Sequence, residues 1–319
     1  MSVPERPLVI SLTPNPSVDL LFDAERLVWD DANRLPQPRR RAGGQGLNVA
    51  RAARTLGARA LPVALLGGAA GAELAAMLAA EGQPLRTVPI EGDTRIFVAT
   101  RERTTGRSLL LNPRGPQCAA ADGERLLAAL REELDREPPA WLACCGSVPP
   151  GIAPDLYERA AGEARRRGVR VVVDADGELL DRGTRAGCDL LVPNEHEAAR
   201  MVGFAIADLP DAARAAVRLR ERGGEVACVT LGARGAVLAT PDGTWHAVVT
   251  TDGDGSAVGA GDAFLAALLL ALREGRAPPD ALRSAVAAGS AVLKSENGDL
   301  LTVEEYRRLF DRVEVRALG

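Results

Sequence analysis

Histidine and lysine are nearly missing from this sequence. Lys294 is the only lysine among 319 residues, and His196 and His246 are the only histidines. With two histidines there is no HExxH zinc motif and little scope for a Ser-His-Asp or Cys-His catalytic centre. Hydrolysis through any of those centres is therefore not expected, and almost every positive charge is an arginine.

The five cysteines also lack a recognisable pattern. Cys118, Cys144, Cys145, Cys188 and Cys228 are an odd number, without the paired spacings that ligate zinc or crosslink a small secreted protein. We interpret most of them as buried thiols. The sequence shows neither a secretion signal nor an apolar run of membrane-spanning length, so the prediction is a cytoplasmic protein with no membrane partner.

An excess of positive charge is missing as well. The formal net charge is −4 and the arginine runs are short, which excludes the electrostatic footprint of a nucleic-acid-binding protein. With 46% hydrophobic residues the chain can bury a large core, and it contains no linker, repeat or low-complexity segment. We predict one domain spanning residues 1–319.

Buried strands and amphipathic helices alternate along most of the chain. Such alternation is typical of a three-layer α/β/α fold, with a mostly parallel central sheet that binds ligands at the carboxyl ends of its strands. The apolar strand-like runs are PLVISLT at residue 7 and runs near residues 60, 140, 169, 188 and 225, and the helical stretches are 71–81, 121–134, 153–167 and 210–223.

Two stretches interrupt this alternation, at about residues 17–42 and 91–113. The second contains DTRIFVATRERTTGRSLLLN, which is typical of two strands around a Thr-Gly turn. We predict a small accessory sheet, which would serve either as a lid over the ligand crevice or as a dimerisation surface.

The stretch GSAVGAGDAF, residues 255–264, sets Asp262 directly after three small residues. An apolar helical stretch follows, so the small residues predict a turn that opens a buried helix. The free N–H groups and the positive dipole end of such a helix attract an anion. By itself the pattern leaves open that Asp262 only complements the first helical turn.

A second glycine-rich stretch, AGGQGLNVARAARTLGA, begins at residue 42. It is not a dinucleotide fingerprint, because Val49 stands where the third glycine belongs and no buried strand precedes it. A Walker A loop is also excluded, because Leu293 precedes the only lysine where that loop needs glycine. The glycines predict a helix entry where a polar ligand approaches the backbone, within reach of Asn48.

Together the two glycine-rich stretches resemble the signatures of the PfkB, or ribokinase-like, family of carbohydrate kinases. They occur in the family's order and at about its spacing, and the resemblance covers essentially the whole chain. Shorter stretches also match, and they are most similar to the branch of phosphosugar kinases that includes 1-phosphofructokinase and tagatose-6-phosphate kinase: TPNPSVD at 13–19, TR at 94–95, LNPRGP at 111–116, GSVPPG at 146–151, PNEHE at 193–197 and VTLGARGA at 229–236.

The resemblance implies an ATP- and Mg²⁺-dependent kinase. Asp262 would be the general base, and the backbone of Gly259, Ala260 and Gly261 would form the anion hole for the transferring phosphoryl group. Fructose 1-phosphate is the first substrate expected, followed by tagatose 6-phosphate or fructose 6-phosphate. Family members often pair through the lid, which implies a homodimer.

The resemblance also implies a set of binding residues. Arg95 would hold the phosphate already on the sugar, although a solvated residue on an edge strand is the alternative. Asn194 and Glu197 would lie near the magnesium ion and nucleotide phosphates, or else be an N-cap and an exposed helical residue. The remaining implied residues are Asp19, Gly43, Gly44, Asn48 and Ser147 for the sugar phosphate, and Thr230, Gly232 and Gly235 for the nucleotide, although the last three would also suit a plain hairpin.

The chain departs from the family pattern at four positions. Ser256 and Ala257 replace a usual Asp-Thr, while Gln45 and Val192 stand where the phosphosugar branch usually has lysine. An arginine-for-lysine bias would have left arginine there, so positive charge has been lost, and nearby Asp252 and Asp254 are candidates to compensate. Two alternatives stay open: a kinase of a free sugar or nucleoside, if Arg95 faces no site for a second phosphate, and a non-catalytic binder of sugar phosphates, which the residues at 256, 257 and 192 favour.

Overall fold

The computed structural model describes residues 8–251, 258–293 and 301–318. Five residues discussed above lie outside these ranges: Asp252, Asp254, Ser256, Ala257 and Lys294.

The strands form two sheets within the described residues. The larger sheet has ten strands and the smaller has four. In chain order the strands are β1 (Leu8–Thr13), β2 (Ser17–Ala24), β3 (Arg39–Gly43), β4 (Arg59–Leu66), β5 (Arg86–Pro89), β6 (Arg95–Glu102), β7 (Ser108–Leu111), β8 (Trp141–Cys145), β9 (Arg170–Asp174), β10 (Leu190–Leu191), β11 (Val226–Thr230), β12 (Ala236–Thr240), β13 (Gly243–Val248) and β14 (Glu314–Leu318).

The larger sheet is mostly parallel, as its apolar runs predict. Its spatial order is β14-β13-β12-β11-β10-β9-β8-β1-β4-β5. The seven strands from β11 to β5 in that order pair in parallel, while β12, β13 and β14 add antiparallel strands at one edge. The seven parallel strands therefore bring their carboxyl ends to one side of the molecule.

Helices cover both faces of this sheet and complete the three layers. Along β1, Val9 packs into one core and its neighbours Ile10 and Leu12 into the opposite one, because successive strand residues face opposite sides. The helices are α1 (Gln45–Thr55), α2 (Gly68–Ala80), α3 (Ala120–Arg136), α4 (Leu156–Arg165), α5 (Glu178–Arg185), α6 (Glu195–Val202), α7 (Leu209–Glu221), α8 (Ala260–Arg273), α9 (Pro278–Val292) and α10 (Val303–Phe310).

The two cores divide these helices. Helices α1, α8 and α9 supply much of the first core, whereas α3, α4 and α7 supply much of the second. Helix α8 is apolar around most of its circumference, because ten of its residues from Asp262 to Ala271 are buried. A helix so enclosed holds its first turn rigidly relative to the sheet.

The interruptions at about 17–42 and 91–113 form the predicted accessory sheet, in the order β3-β2-β6-β7. Strands β6 and β7 flank a turn that contains Thr105 and Gly106, as expected. Val18 and Ala42 of this sheet pack with Leu74 and Leu78 of α2. The accessory sheet is thereby fixed next to the carboxyl edge of the larger one.

Among the residues that the structure describes, no helix has the length and hydropathy needed to cross a membrane.

Candidate active site

A cavity of about 510 Å³ opens where the carboxyl ends of the parallel strands meet the accessory sheet. Thr13, Cys145, Asp174 and Thr230, the last residues of β1, β8, β9 and β11, line it. This is the place where α/β sheets bind ligands. Eleven of the residues predicted from sequence share the lining: Asp19, Gly44, Asn48, Arg95, Ser147, Asn194, Glu197, Thr230, Gly259, Gly261 and Asp262.

Asp262 is the third residue of α8 and is 6% exposed. Helix α8 begins after Gly259, whose φ of 86° is a left-handed conformation that glycine adopts readily. Helix geometry leaves the first N–H groups of α8 without intrahelical partners, so Ala260 and Gly261 present donors beside Asp262. The predicted pairing of an acid with an anion-attracting helix end is thus present in the structure, although Ala260 is not part of the cavity lining.

The side chain of Asn48 contacts Asp262 directly. Its Nδ2 donates to Asp262 Oδ2 at 2.8 Å, across 214 residues of sequence. Burial raises the pKa of Asp262 to about 6, and the Asn48 hydrogen bond and the charge of Arg41 oppose that rise. The carboxylate is therefore the main form of Asp262 at neutral pH, but with a pKa near the working range of a base.

Asp174 is an acid of this site that our reading of the sequence missed. It ends β9 and lines the cavity, where burial raises its pKa to about 8, with further contributions from the charges of Asp262 and Glu197. Gln45 Nε2 lies 3.4 Å from Asp174 Oδ2, so the neutral residue at the expected lysine position faces this acid. The stretch VVVDADG carried the signal, because an acid at the carboxyl end of a buried parallel strand falls on the ligand edge.

Asp19 is held on the accessory sheet beside two neighbours. Ser17 Oγ donates to Asp19 Oδ1 at 2.6 Å, and Arg41 Nη2 donates to Asp19 Oδ2 at 3.1 Å. Gly43, which does not line the cavity, packs against this carboxylate: a Cβ there would lie 2.0 Å from Asp19 Oδ1. Gly43 is therefore required by the position of Asp19 rather than by direct contact with the cavity.

Arg95 lines the cavity from β6, which lies between β2 and β7. The edge-strand alternative is therefore wrong. Its Nη2 donates to the Asn15 carbonyl at 2.9 Å and its Nη1 to the Pro113 carbonyl at 3.0 Å, with a further bond from Nη1 to Asn112 Oδ1. These oxygens fix the guanidinium plane, and burial lowers the pKa of Arg95.

Ser147 lies in the loop after β8 and lines the same cavity as Arg95. Its Oγ accepts a hydrogen bond of 2.9 Å from Asn15 Nδ2, and the same Nδ2 donates to the carbonyl of Arg114. Asn15 thus supports both Ser147 and Arg95, although the sequence analysis did not single it out.

Asn194 is the N-cap of α6, as one of the two interpretations proposed. Its Oδ1 accepts from the backbone N–H groups of His196 and Glu197, and Glu197 Oε2 accepts from the Asn194 N–H. Glu197 is only partly exposed, and burial raises its pKa, so the alternative of an exposed helical residue is wrong. Both residues cap the helix and line the cavity.

Gly232 and Gly235 lie in a hairpin turn and are not part of the cavity lining. The turn joins β11 to the antiparallel β12, and a Cβ on Gly235 would lie 1.9 Å from the Ala247 carbonyl oxygen. The hairpin alternative thus accounts for Gly235. Of the three residues predicted to bind the nucleotide in this turn, only Thr230 lines the cavity.

Most of the chain matches a known protein family. The model of the pfkB family carbohydrate kinases matches residues 12–304. The chain belongs to the pfkB family. The predicted family membership and fold class are therefore confirmed.

Individual relatives cover nearly the whole chain. One is the ATP-dependent 6-phosphofructokinase isozyme 2 of Mycobacterium tuberculosis, 32% identical over 96% of this chain and 90% of the relative. Another is the 1-phosphofructokinase of Haloferax volcanii, 34% identical over 90% of this chain and 91% of the relative. The crystal structure of Escherichia coli phosphofructokinase-2 with fructose-6-phosphate aligns with a TM-score of 0.87 at 27% identity, covering 96% of this chain and 98% of that one.

Proposed function

We propose that this member of the pfkB family is a kinase that transfers the γ-phosphoryl group of ATP to a hydroxyl of a hexose monophosphate. The observation that carries the proposal is the placement of Asp262. It is a buried carboxylate in the first turn of α8, on the wall of a cavity that also holds Asp19 and Arg95. Relatives named for phosphorylating fructose phosphates support the substrate class.

The residues around the cavity have different roles in the proposed reaction. Asp262 accepts the proton of the sugar hydroxyl while the hydroxyl oxygen bonds to the γ-phosphorus of ATP. The bond between the γ-phosphorus and the β-phosphate oxygen breaks at the same time, which releases ADP. The backbone N–H groups at Gly259, Ala260 and Gly261 stabilise the negative charge of the transferring group. Asp19, Gly44 and Asn48 orient the sugar, with Gly43 supporting Asp19.

The nucleotide end of the cavity fits a magnesium ion. Asp174 and Glu197 both line it, and burial, together with the charges of Asp262 and Glu197, raises the pKa of Asp174. Carboxylate oxygens are ligands suited to Mg²⁺. No cluster of three or more such ligands occurs in the described ranges, and Mg²⁺ commonly uses one or two carboxylates together with substrate phosphates. Bound there, magnesium would neutralise phosphate charge, while Asn194, Thr230, Gly232 and Gly235 contribute to nucleotide binding.

The substrate is tested by measuring ADP release with MgATP and a panel of sugars. The panel contains fructose 1-phosphate, tagatose 6-phosphate, fructose 6-phosphate, fructose and ribose. Turnover confined to phosphosugars, with fructose 1-phosphate fastest, is the expected result. Turnover of free sugars alone would favour the alternative kinase, and tight binding of phosphosugars without ADP release would favour a binder.

The pH dependence of the reaction tests the role of Asp262. Because only the carboxylate accepts a proton, kcat/KM should fall as the pH drops through about 6, the pKa of Asp262. The measurement is kcat/KM for the best phosphosugar across that range. The residual activity of the Asp262→Asn variant should lack this acidic limb, and a wild-type profile that stays flat through pH 6 would exclude Asp262 as the base.

We propose further that two copies of the chain pair through the accessory sheet. Trp29, which follows β2, is 75% exposed, and Leu110 and Leu111 of β7 are each 52% exposed. Leu110 and Leu111 belong to β7, the edge strand of the accessory sheet, and exposed apolar patches mark interaction surfaces. Light scattering should give the mass of a dimer for the wild type and of a monomer for Leu110→Glu; a wild type that is monomeric at all concentrations would contradict the proposal.

The reducing cytoplasm is the compartment we propose. All five cysteines are buried free thiols, which suits a compartment that keeps thiols reduced.

A further inference from the structure

Arg51 of α1 contacts three residues near the candidate base, one on its own helix and two from other parts of the fold. Its Nη1 donates to Asn48 Oδ1 at 2.9 Å, and its Nη2 donates to the carbonyl of Ala42 in β3 at 3.0 Å. Its Nε and Nη2 also bond to both carboxylate oxygens of Glu81, which follows α2, at 2.8 and 3.2 Å. The Arg51 side chain is only 11% exposed, so these contacts fix its position.

The contact with Asn48 decides which end of the Asn48 amide faces Asp262. Arginine carries only donors, so Arg51 can bond the oxygen of that amide but not its nitrogen. With Oδ1 bound to Arg51, Nδ2 points to Asp262 Oδ2 at 2.8 Å. The reverse orientation would set an oxygen against the carboxylate and two donors against each other, so Arg51 selects the orientation that supports the base.

We propose that Arg51 is a positioning residue for phosphoryl transfer, holding Asn48 so that Asp262 is fixed and ionised. The proposal rests on the proposed function of Asp262. Arg51 also links the base to the accessory sheet, because Ala42 directly precedes Gly43, which packs against Asp19, and Gly44, which lines the cavity.

The charges around Asp262 predict the direction in which its pKa changes when Arg51 is replaced. Burial is the largest influence on the pKa of Asp262 and raises it. From α1, the Asn48 hydrogen bond and the Arg51 charge lower that pKa; from the accessory sheet, Arg41 lowers it and Asp19 raises it. Asp174 at the end of β9 is the other nearby acid. Loss of Arg51 should therefore raise the pKa of Asp262.

A second cavity makes Arg51 suitable for substitution. This cavity, of about 470 Å³, is lined by Arg51, Arg54 and the exposed Glu81, and it meets the first cavity at Asn48 and Gly259. Shortening Arg51 enlarges a space that reaches the surface and leaves the apolar cores untouched. Arg54 is the matched control, because it lies on the same helix and bonds the Gly82 carbonyl, but no hydrogen bond is found between it and Asn48 in the described residues.

The kinetic test compares Arg51→Met, Arg51→Lys and Arg54→Met with the wild type. For Arg51→Met we expect kcat to fall by roughly 10- to 100-fold, which is the scale of the loss when a reacting group is misplaced. We also expect the acidic limb of the pH profile of kcat/KM to move to higher pH. The acidic limb of Arg51→Lys should lie between those of the wild type and Arg51→Met, because lysine keeps the positive charge. Arg54→Met should match the wild type. The proposal would be overturned if Arg51→Met kept the wild-type kcat and acidic limb, or if Arg54→Met lost as much kcat as Arg51→Met.

A titration of Asp262 by ¹³C NMR gives a readout that does not require turnover. The carboxyl signal of Asp262 is assigned by its loss in Asp262→Asn, and its midpoint should rise in Arg51→Met but not in Arg54→Met. An unchanged midpoint in Arg51→Met would overturn the role of Arg51. A wild type that phosphorylates no sugar would instead reject the proposed function, while the titration would still decide whether Arg51 supports this carboxylate.

Discussion

The Asp262→Ala variant is expected to lose ~10²–10⁴-fold in kcat while still binding the phosphosugar nearly as well as the wild type. In the proposed reaction the carboxylate removes a proton during transfer, whereas other residues, chiefly Asp19, which also lines the cavity, orient the sugar. Initial rates of ADP release and the Kd of the phosphosugar, measured on both proteins, give the two quantities separately.

Asp280→Ala provides a matched control for that variant. Asp280 is the third residue of α9, as Asp262 is of α8, but it is exposed and is not part of the cavity lining. Both changes remove an acid from a first helical turn, so a general effect on helix stability would appear in both. Near-wild-type turnover in Asp262→Ala would remove Asp262 from the mechanism.

The Arg95→Ala variant is expected to raise KM for the phosphosugar by about 10- to 100-fold, with a much smaller change in kcat. The estimate corresponds to the loss of charged hydrogen bonds worth roughly 1.5–3 kcal/mol. Carbonyls of Asn15 and Pro113 hold the guanidinium at the cavity wall, so its charge is placed before the phosphate arrives. Steady-state kinetics with the phosphosugar as the varied substrate measure the effect.

Two further variants separate charge from structure at Arg95. Arg101→Ala is the control on the same strand and face of β6, because Arg101 is six residues further along and is not part of the cavity lining. Arg95→Lys keeps the charge but not the fork of donors, and should give an intermediate KM. An unchanged KM in Arg95→Ala would assign the phosphate to other residues, with Arg95 only supporting the loops of Asn15 and Pro113.

The sequence was sufficient to predict where α8 begins and that Asp262 lies in its first turn. GSAVGAGDAF predicts a helix entry before an apolar stretch, and α8 begins at Ala260 with Asp262 in its first turn. The alternation of strands and helices likewise predicts the parallel sheet. Helix bounds were less accurate: the stretch predicted at 153–167 is α4, Leu156–Arg165, and the one at 71–81 is α2, Gly68–Ala80.

The contacts that tune the site could not be predicted, because they join distant parts of the chain. Asn48 is proposed to orient the sugar, and its Nδ2 also bonds Asp262, which is 214 residues away in the sequence. The sequence analysis did not single out Arg51, which the fold places against Ala42, Asn48 and Glu81. Local propensity and periodicity carry no information on such pairings, which follow from how α1, α2 and β3 pack.

The proposed kinase activity is tested most directly by ³¹P NMR of the wild-type protein with MgATP and fructose 1-phosphate. We expect one new phosphomonoester signal, with ADP formed in equal amount, and no such signal with Asp262→Ala over the same time. Binding of fructose 1-phosphate and the other phosphosugars without any new phosphomonoester would contradict it, and would leave this member of the family as a binder of sugar phosphates.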